Sequence, residues 1–308
     1  MSLFLDLLDK LLPLYATMGV GFLLGRRFRG MGQTLAQLQI YFLIPVVLFF
    51  SIVKLPFSTD VFFLPVLRFG ISLAFSTSAY FVARRFWTPY APLLAQTAGC
   101  SNIGYFGVPV AAALFPPEMV AVYIVAVVGG QLHEYSFGFF WMARGKHAPR
   151  DAVRRLLQTP LLYVVILGMA CSAWGLKIPP VWDKFSHDFT GAYIILGALI
   201  IGIGIAQQDK LRFNIKFNVV TTVLKFMLSP AFTLLLLHLL RATPLAVPMK
   251  YEPILILMSF MPMGANTAVL ASLLDFHADE ASTAVAVSTL LSIFLIPLFV
   301  LWFGMAHV

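Results

Sequence analysis

Long apolar runs separated by short polar or basic stretches dominate the chain. A helix that spans a membrane needs about 20 apolar residues, so each run is a candidate span. The pattern predicts ten spans, at residues 4–24, 35–53, 61–83, 91–115, 119–142, 160–175, 190–206, 219–240, 253–276 and 281–303. The predicted fold class is therefore an all-α polytopic membrane protein.

The composition excludes a soluble protein, because 60% of the residues are hydrophobic, 11% are charged and the mean hydropathy is +0.90. The first run carries Asp6, Asp9 and Lys10 instead of a cationic start, so we expect a mature helix and not a signal peptide. Cys100 and Cys171 both lie in apolar runs, which predicts neither a disulfide framework nor a metal site.

Two of the apolar runs are interrupted by glycine and proline near their middle. The first interruption is the run from Gly99 to Pro109, and the second is the run from Met261 to Ala268. Such breaks leave backbone groups unpaired, and in a membrane they persist only where protein or a water-filled cavity satisfies them. Broken spans at matching positions in two halves of a chain point to the binding site of a transporter.

The two halves of the chain also resemble each other in sequence. Arg68 and Lys225 lie in matching contexts 157 residues apart, and Asn102 and Asn266 match at an offset of 164. The pattern predicts two five-helix repeats, residues 1–155 and 156–308. Because five is odd, the second repeat is inverted in the membrane, and helices 4 and 9 are expected to meet as a broken, crossing pair.

The paired breaks predict a substrate-binding site. Half-helices that begin near Val108 and Ala265 would direct the positive ends of their dipoles at one volume, which suits a carboxylate. The predicted substrate-binding residues at the breaks are Asn102, Gly104, Gly107, Pro109, Gly264 and Asn266. The alternative is that the glycines and prolines are packing kinks that the asparagines cap.

Three charged residues within the spans are further candidates. Arg68 and Lys225 are expected either to contact an anionic substrate, to extend to the membrane interface, or to neutralise the C-terminal ends of the broken helices. Glu134 shares a helix face with Gln131 and Tyr135 and is a candidate for proton coupling, with a structural hydrogen-bonded carboxyl group as the alternative.

The loop charges predict the orientation. Thirteen Lys and Arg residues lie in the loops after odd-numbered spans, and six lie on the opposite side. Because basic loops face the cytoplasm, both termini are expected outside. The net charge of +8 is then explained by topology and by attraction to anionic lipid, with no nucleic-acid partner.

Three segments carry a resemblance to a known family. The runs Tyr41–Phe49, Asn102–Pro109 and Ser288–Pro297 resemble the auxin efflux carrier family, which includes plant auxin exporters and bacterial carriers of malonate and malate. The resemblance implies ten helices in two inverted repeats with crossing helices 4 and 9, as in bile acid symporters and sodium/proton antiporters. The family's first crossover proline falls on Pro109, but the second repeat has Pro262 four residues before Asn266 instead of a proline seven residues after it.

These observations favour a secondary transporter in a bacterial inner membrane. The expected substrate is a small organic anion, either a dicarboxylate such as malonate or malate or an auxin-like carboxylate, moved by alternating access as one repeat moves against the other. The alternative is an exchanger or symporter of the same fold with sodium or protons as cargo. We expect no enzyme activity, cofactor or metal, since no nucleophile with a base and no metal motif is found. The sequence is compatible with a monomer and with a homodimer.

Overall fold

The computed structural model describes residues 2–28, 30–54, 58–143, 160–207, 214–243, 245–274 and 276–304. These residues form helices joined by short connections. The helices are α1 (Ser2–Arg27), α2 (31–54), α3 (Thr59–Phe86), α4 (Ala91–Gly99), α5 (Gly107–Leu114), α6 (117–143), α7 (Pro160–Ala173), α8 (Val181–Ala206), α9 (Ile215–Leu240), α10 (Glu252–Ser259), α11 (Asn266–Leu273) and α12 (Ala278–Trp302).

Each predicted apolar run coincides with one helix or, at the two predicted breaks, with a pair of short helices. Within the described ranges, five helices are long and apolar enough to cross a membrane, judged by length and composition. These are Thr34–Lys54, Thr59–Phe86, Val181–Ala206, Ile215–Leu240 and Ala278–Trp302. The all-helical class is confirmed, whereas ten crossings and the repeat boundary at residue 155, outside the described residues, stay predictions.

The start of α8 differs from the expectation. The helix begins at Val181, nine residues before the predicted Thr190. The polar residues that suggested a loop lie instead on the first turns, where Lys54 Nζ is 2.8 Å from Asp183 Oδ1. A helix end that lies near water keeps its charged side chains solvated or paired, so polarity alone did not mark the end of this helix.

The two broken helices begin in the same way. A 3₁₀ turn precedes each first half, Thr88–Tyr90 before α4 and Met249–Tyr251 before α10. A proline follows at the second helical position, Pro92 in α4 and Pro253 in α10. Proline suits the first turn of a helix, because its missing N–H has no intrahelical partner there in any case.

Side-chain contacts hold the start of each broken helix in place. Tyr90 donates a hydrogen bond to Glu280 at the start of α12, with 3.1 Å between the oxygens. Arg241 after α9 forms a two-pronged ion pair with Glu252 at the start of α10, at 2.7 and 3.1 Å. Hydrogen bonding to Glu252 raises the pKa of Arg241.

The helices pack in two groups. In the first helix group, α1 packs along α8, and α2 packs against α7 and α8. Gly202 allows the closest approach, since a Cβ there would overlap the Met18 carbonyl oxygen. The second helix group consists of α3 to α6 and α9 to α12. Each group contains helices from both halves of the chain, so neither group corresponds to one predicted repeat.

Candidate functional site

The two breaks cross each other in the second helix group. The extended residues Ser101 and Met263 form an antiparallel bridge. Asn102 N donates to Pro262 O at 2.8 Å, and Gly264 N donates to Cys100 O at 3.4 Å. The crossing thus places the end of α4, the start of α5, the end of α10 and the start of α11 around one point.

Side chains satisfy further backbone groups that the breaks expose. Met263 N donates to Ser288 Oγ of α12 at 3.2 Å. Tyr123 of α6 donates to Ile103 O at 3.2 Å, and Asn102 Oδ1 accepts from Phe106 N at 3.2 Å. Since unpaired backbone groups are costly away from water, these bonds explain how unwound chain persists inside an apolar helical protein.

Lys225 caps the C-terminal end of α4. Its Nζ donates to Cys100 O at 2.8 Å and to Thr97 O at 3.2 Å, and the residue is 0% exposed. The ammonium group therefore neutralises the negative end of the α4 dipole. The expectation of an interfacial anchor is wrong, because α9 begins at Ile215 and Lys225 lies about 15 Å along it. The alternative of a counter-charge is confirmed.

Arg68 of α3 is also buried, with 5% of its surface exposed. Its Nε lies against Gly130 of α6 and has no hydrogen-bond partner among the described residues. The expectation that Arg68 reaches the interface is wrong too, since α3 begins at Thr59 and places the residue nine positions inside the helix. Two buried cations therefore lie near the crossing, both close enough to interact with Cys100.

A small polar cavity lies beside the crossing and has a volume of about 30 Å³. Its polar lining comprises Ser101, Asn102, Gln131, Glu134 and Asn266. The predicted residues Gly104 and Gly264 also line it, so five predicted positions from three helical segments meet here. The volume holds water molecules, but it is far below the roughly 300–1,000 Å³ of ligand pockets. As it stands, the cavity is too small for an organic anion.

Glu134 directs its carboxyl group into this cavity. The Asn266 amide and the Cys100 thiol face the carboxyl group, and Lys225 lies near enough to interact with its charge. Its Oε1 has no hydrogen-bond partner in the described part of the chain, and neither has Ser101 Oγ. Buried polar atoms without partners are rare and indicate bound water, an ion or a ligand.

Local helix geometry helps to direct the charged side chains. Glu134 begins a π-helical turn, Glu134–Gly138, within α6, and Lys225 lies in another, Leu224–Leu228, within α9. A third π-helical turn, Gln39–Leu43, begins at buried Gln39, which donates to Tyr193 O at 2.8 Å. Such turns insert one residue into an α-helix and occur often at functional sites.

The remaining predicted residues shape the crossing without lining the cavity. Gly107 begins α5, and a Cβ there would overlap the Tyr123 hydroxyl group. Pro109 is buried in the first turn of α5. The half-helices begin at Gly107 and Asn266, each one residue from the predicted start. The Tyr135 side chain lies outside the described residues.

Several contributors were absent from the sequence prediction. Ser288 lies in the segment that carries the family resemblance, yet serine is common in apolar helices and gave no signal of its own. Tyr123 and Ser101 were likewise overlooked. His133, adjacent to Glu134, faces away from the cavity, where its Nε2 lies 3.0 Å from Ser76 Oγ. The two adjacent titratable residues do not act as a pair, as predicted from helix geometry.

Apolar helices and an internal crossing of unwound segments define this chain as an integral membrane protein of the transporter class. The family model described as membrane transport protein matches residues 148–300. An uncharacterized transporter of Methanocaldococcus jannaschii is 24% identical over 276 residues, which are 86% of this chain and 88% of that protein. A second uncharacterized transporter, from Methanothermobacter thermautotrophicus, is 25% identical over 271 residues, covering 86% of this chain and 87% of that protein.

About half of the chain thus matches the membrane transport protein family model, whose domain is that of the auxin efflux carriers. The resemblance found in the sequence is therefore confirmed.

Proposed function

We propose that this protein carries a small organic anion across the bacterial inner membrane by alternating access, with the crossing as its binding site. The observation that carries the proposal is the meeting of two unwound segments around a polar cavity, with buried Arg68 and Lys225 near the crossing. Backbone N–H groups at the starts of α5 and α11 add partial positive charge at the same place. An anion is the ligand that this arrangement of charges favours.

The architecture proposed for this function is ten spans in two inverted five-helix repeats. Two features support it: the matched starts of α4 and α10, each a 3₁₀ turn ending in tyrosine before a helix with proline at its second position, and the crossing itself. An odd number of spans in each repeat places the two broken helices in opposite orientations.

The two helix groups suggest how access alternates. The polar cavity shares Ile44 and Gln131 with a second small cavity, and that cavity reaches Tyr193 of α8. Both cavities therefore lie where the first helix group meets the second. We propose that the second group moves as a body past the first, which would open the cavity to one side at a time.

A dicarboxylate such as malonate or malate fits the site slightly better than an auxin-like monocarboxylate. Lys225 is hydrogen-bonded to the end of α4 and faces Glu134, so Arg68 is the cation that could bind a second carboxylate of the substrate. The Nε of Arg68 has no hydrogen-bond partner among the described residues. A direct binding measurement in which an uncharged or cationic solute bound better than both carboxylates would contradict this substrate class.

Alanine at Asn102 or Asn266 is expected to reduce transport of labelled malonate, malate or indole carboxylate by at least about fivefold in reconstituted vesicles. Each substitution removes a hydrogen-bonding group worth about 1–3 kcal/mol at the crossing. Asn102 also holds Phe106 N through its Oδ1. The measurement is initial uptake rate per folded protein.

Asn214→Ala is the matched control for this experiment. Asn214 caps α9 by accepting from Phe217 N at 3.1 Å and donates to the Tyr90 hydroxyl oxygen at 3.3 Å, and it does not line the cavity. Its replacement removes a helix cap whose energy is similar to that of the hydrogen bonds lost in the crossing variants. Uptake should stay within about twofold of that of the parent protein. Normal uptake by both crossing variants would favour the interpretation of the asparagines as simple caps.

A second candidate function is cation-coupled exchange, and Glu134 is the observation that favours it. A buried carboxyl group with a partnerless oxygen in a polar cavity is suited to taking up a proton. If Glu134 couples transport to protons, Glu134→Gln should flatten the pH dependence of uptake while binding of the anion survives. An unchanged pH profile would leave Glu134 a structural residue and exclude proton coupling through it.

We further propose that both termini face outside. The excess of Lys and Arg in loops after odd-numbered spans supports this orientation. Exposed Arg85 and Lys184 would then lie on opposite sides, so single cysteines at these positions, in a Cys171→Ser background, should react with an impermeant thiol reagent from opposite sides. Reaction from the same side would contradict the ten-span arrangement.

A further inference from the structure

An apolar groove runs along the outer surface of the second helix group, between α3 and α9. It has a volume of about 440 Å³, within the range of ligand pockets. Its lining residues are almost all aliphatic or aromatic, and Val82, Phe86 and Val219 are more than half exposed. On an integral membrane protein, such a surface faces the lipid hydrocarbon.

One end of the groove is basic and carries the features of a membrane interface. Lys216 lines the groove and places its Nζ 4.9 Å from the centre of the Trp87 ring. Arg84 and Arg85 are exposed at the same end of α3. Tryptophan concentrates at the level of lipid headgroups, so the cationic cluster lies where a headgroup phosphate would be while the groove extends toward the acyl chains.

The floor of the groove is formed by residues of two helices that Lys225 joins at the crossing. Leu94 of α4 and Leu224 of α9 both line it. Leu224 precedes Lys225 in the π-helical turn, and Leu94 lies in the helix whose end Lys225 caps. An occupant of this groove would therefore touch both elements that the Lys225 cap joins.

We propose that this groove binds an anionic phospholipid, with an acyl chain along α3 and α9 and the headgroup phosphate at Lys216. The pairing of an apolar slot with a cationic end matches the two chemical halves of such a lipid. A bound lipid would hold the π-helical turn of α9 against α4 and so stabilise the crossing. This inference does not depend on which substrate the protein carries.

The test is lipid binding by the purified full-length protein in detergent. Phosphatidylglycerol should raise the midpoint of thermal unfolding more than phosphatidylcholine with the same acyl chains, and native mass spectrometry should retain it as an adduct. Lys216→Gln should weaken phosphatidylglycerol binding about fivefold, the factor that corresponds to about 1 kcal/mol per basic residue at a membrane surface. Lys216→Arg should restore it.

Two further variants distinguish lipid binding in the groove from general electrostatic attraction of anionic lipid to the protein. Ala79→Trp fills the slot and should remove binding of the lipid while leaving Lys216 in place. Lys250→Gln is the matched control, because Lys250 also lies over an aromatic ring, that of Tyr251 at 4.7 Å, but does not line this groove. It should leave phosphatidylglycerol binding unchanged.

Three results would overturn the proposal. The first is an equal response to the two lipids. The second is an equal loss of binding in Lys216→Gln and Lys250→Gln. The third is efficient disulfide cross-linking between copies carrying Val219→Cys, in membranes where phosphatidylglycerol has no effect, because a second copy of the chain would then cover the groove. Lys216 is exposed, so its variants are expected to fold. They keep the test decisive even if Ala79→Trp fails to fold.

Discussion

Replacing Lys225 by methionine is expected to give the largest loss of folded protein of any single substitution considered. The ammonium group is the donor for two carbonyl oxygens, those of Thr97 and Cys100, at a break where the helix cannot supply one. Methionine keeps the length and apolar stem of the side chain but cannot donate. The variant isolates the cap from the packing.

The expected cost is about 3–5 kcal/mol, the range found when one partner of a buried charged interaction is removed. Glu134 would also lose a nearby positive charge. Because the total stability of a folded domain is about 5–15 kcal/mol, the yield of monodisperse protein after detergent extraction and the midpoint of thermal unfolding should both fall sharply.

Lys250→Met controls for loss of a lysine as such. Lys250 lies in the 3₁₀ turn before α10, and its ring contact with Tyr251 is at the surface. Its replacement should shift the unfolding midpoint little, since an exposed cation–π contact contributes about 0.5–1 kcal/mol. Equal stability of the Lys225 and Lys250 variants would mean that Lys225 does not cap α4.

The main features of the crossing could be predicted from the sequence because they depend on local chemistry. Glycines clustered with proline in the middle of a long apolar run favour a break, whereas a lone proline does not, since Pro65 and Pro297 lie inside the unbroken helices α3 and α12. The positions of Asn102 and Asn266, and the starts of the half-helices to within one residue, follow from that rule. The burial of Glu134 likewise follows from one carboxyl group in the middle of an apolar run.

The partners of these residues depend on tertiary packing, which has no local signal. Lys225 and the carbonyls that it caps are more than 120 residues apart in sequence. The depth of Lys225 in its helix differs from the prediction because the helix begins at Ile215. The polar residues near this start gave no apolar signal for a helix there. The division into two helix groups depends on contacts such as that of Gly202 with Met18, and a lone glycine in a helix predicts no particular neighbour.

Gly264→Ala is expected to reduce transport at least about fivefold, because the added methyl group would overlap Cys100 Sγ at the crossing. Overpacking in a well-packed interior costs about 1–3 kcal/mol, and a barrier raised by 1.4 kcal/mol slows a step tenfold. The other atoms near the new Cβ, in the backbone of Ser101 and Cys100, lie at ordinary contact distances of 3.6 and 3.7 Å, respectively. The clash is therefore with the sulfur alone.

Because the clash is with the sulfur alone, a second substitution that removes the sulfur should relieve it. Cys100→Ala removes the sulfur and also the thiol that faces Glu134, so its own transport rate is the reference. Cys100→Ala combined with Gly264→Ala should transport nearly as fast as Cys100→Ala alone. The interaction energy between the two substitutions should be favourable by about 0.5–3 kcal/mol, since residues in contact depart from additivity by that amount. Gly191→Ala in α8 is the control, because no heavy atom of a neighbouring residue lies within 4 Å of its new Cβ. If Cys100→Ala fails to rescue Gly264→Ala, the two breaks do not cross through Cys100 and Gly264, and the proposed binding site loses its geometric basis.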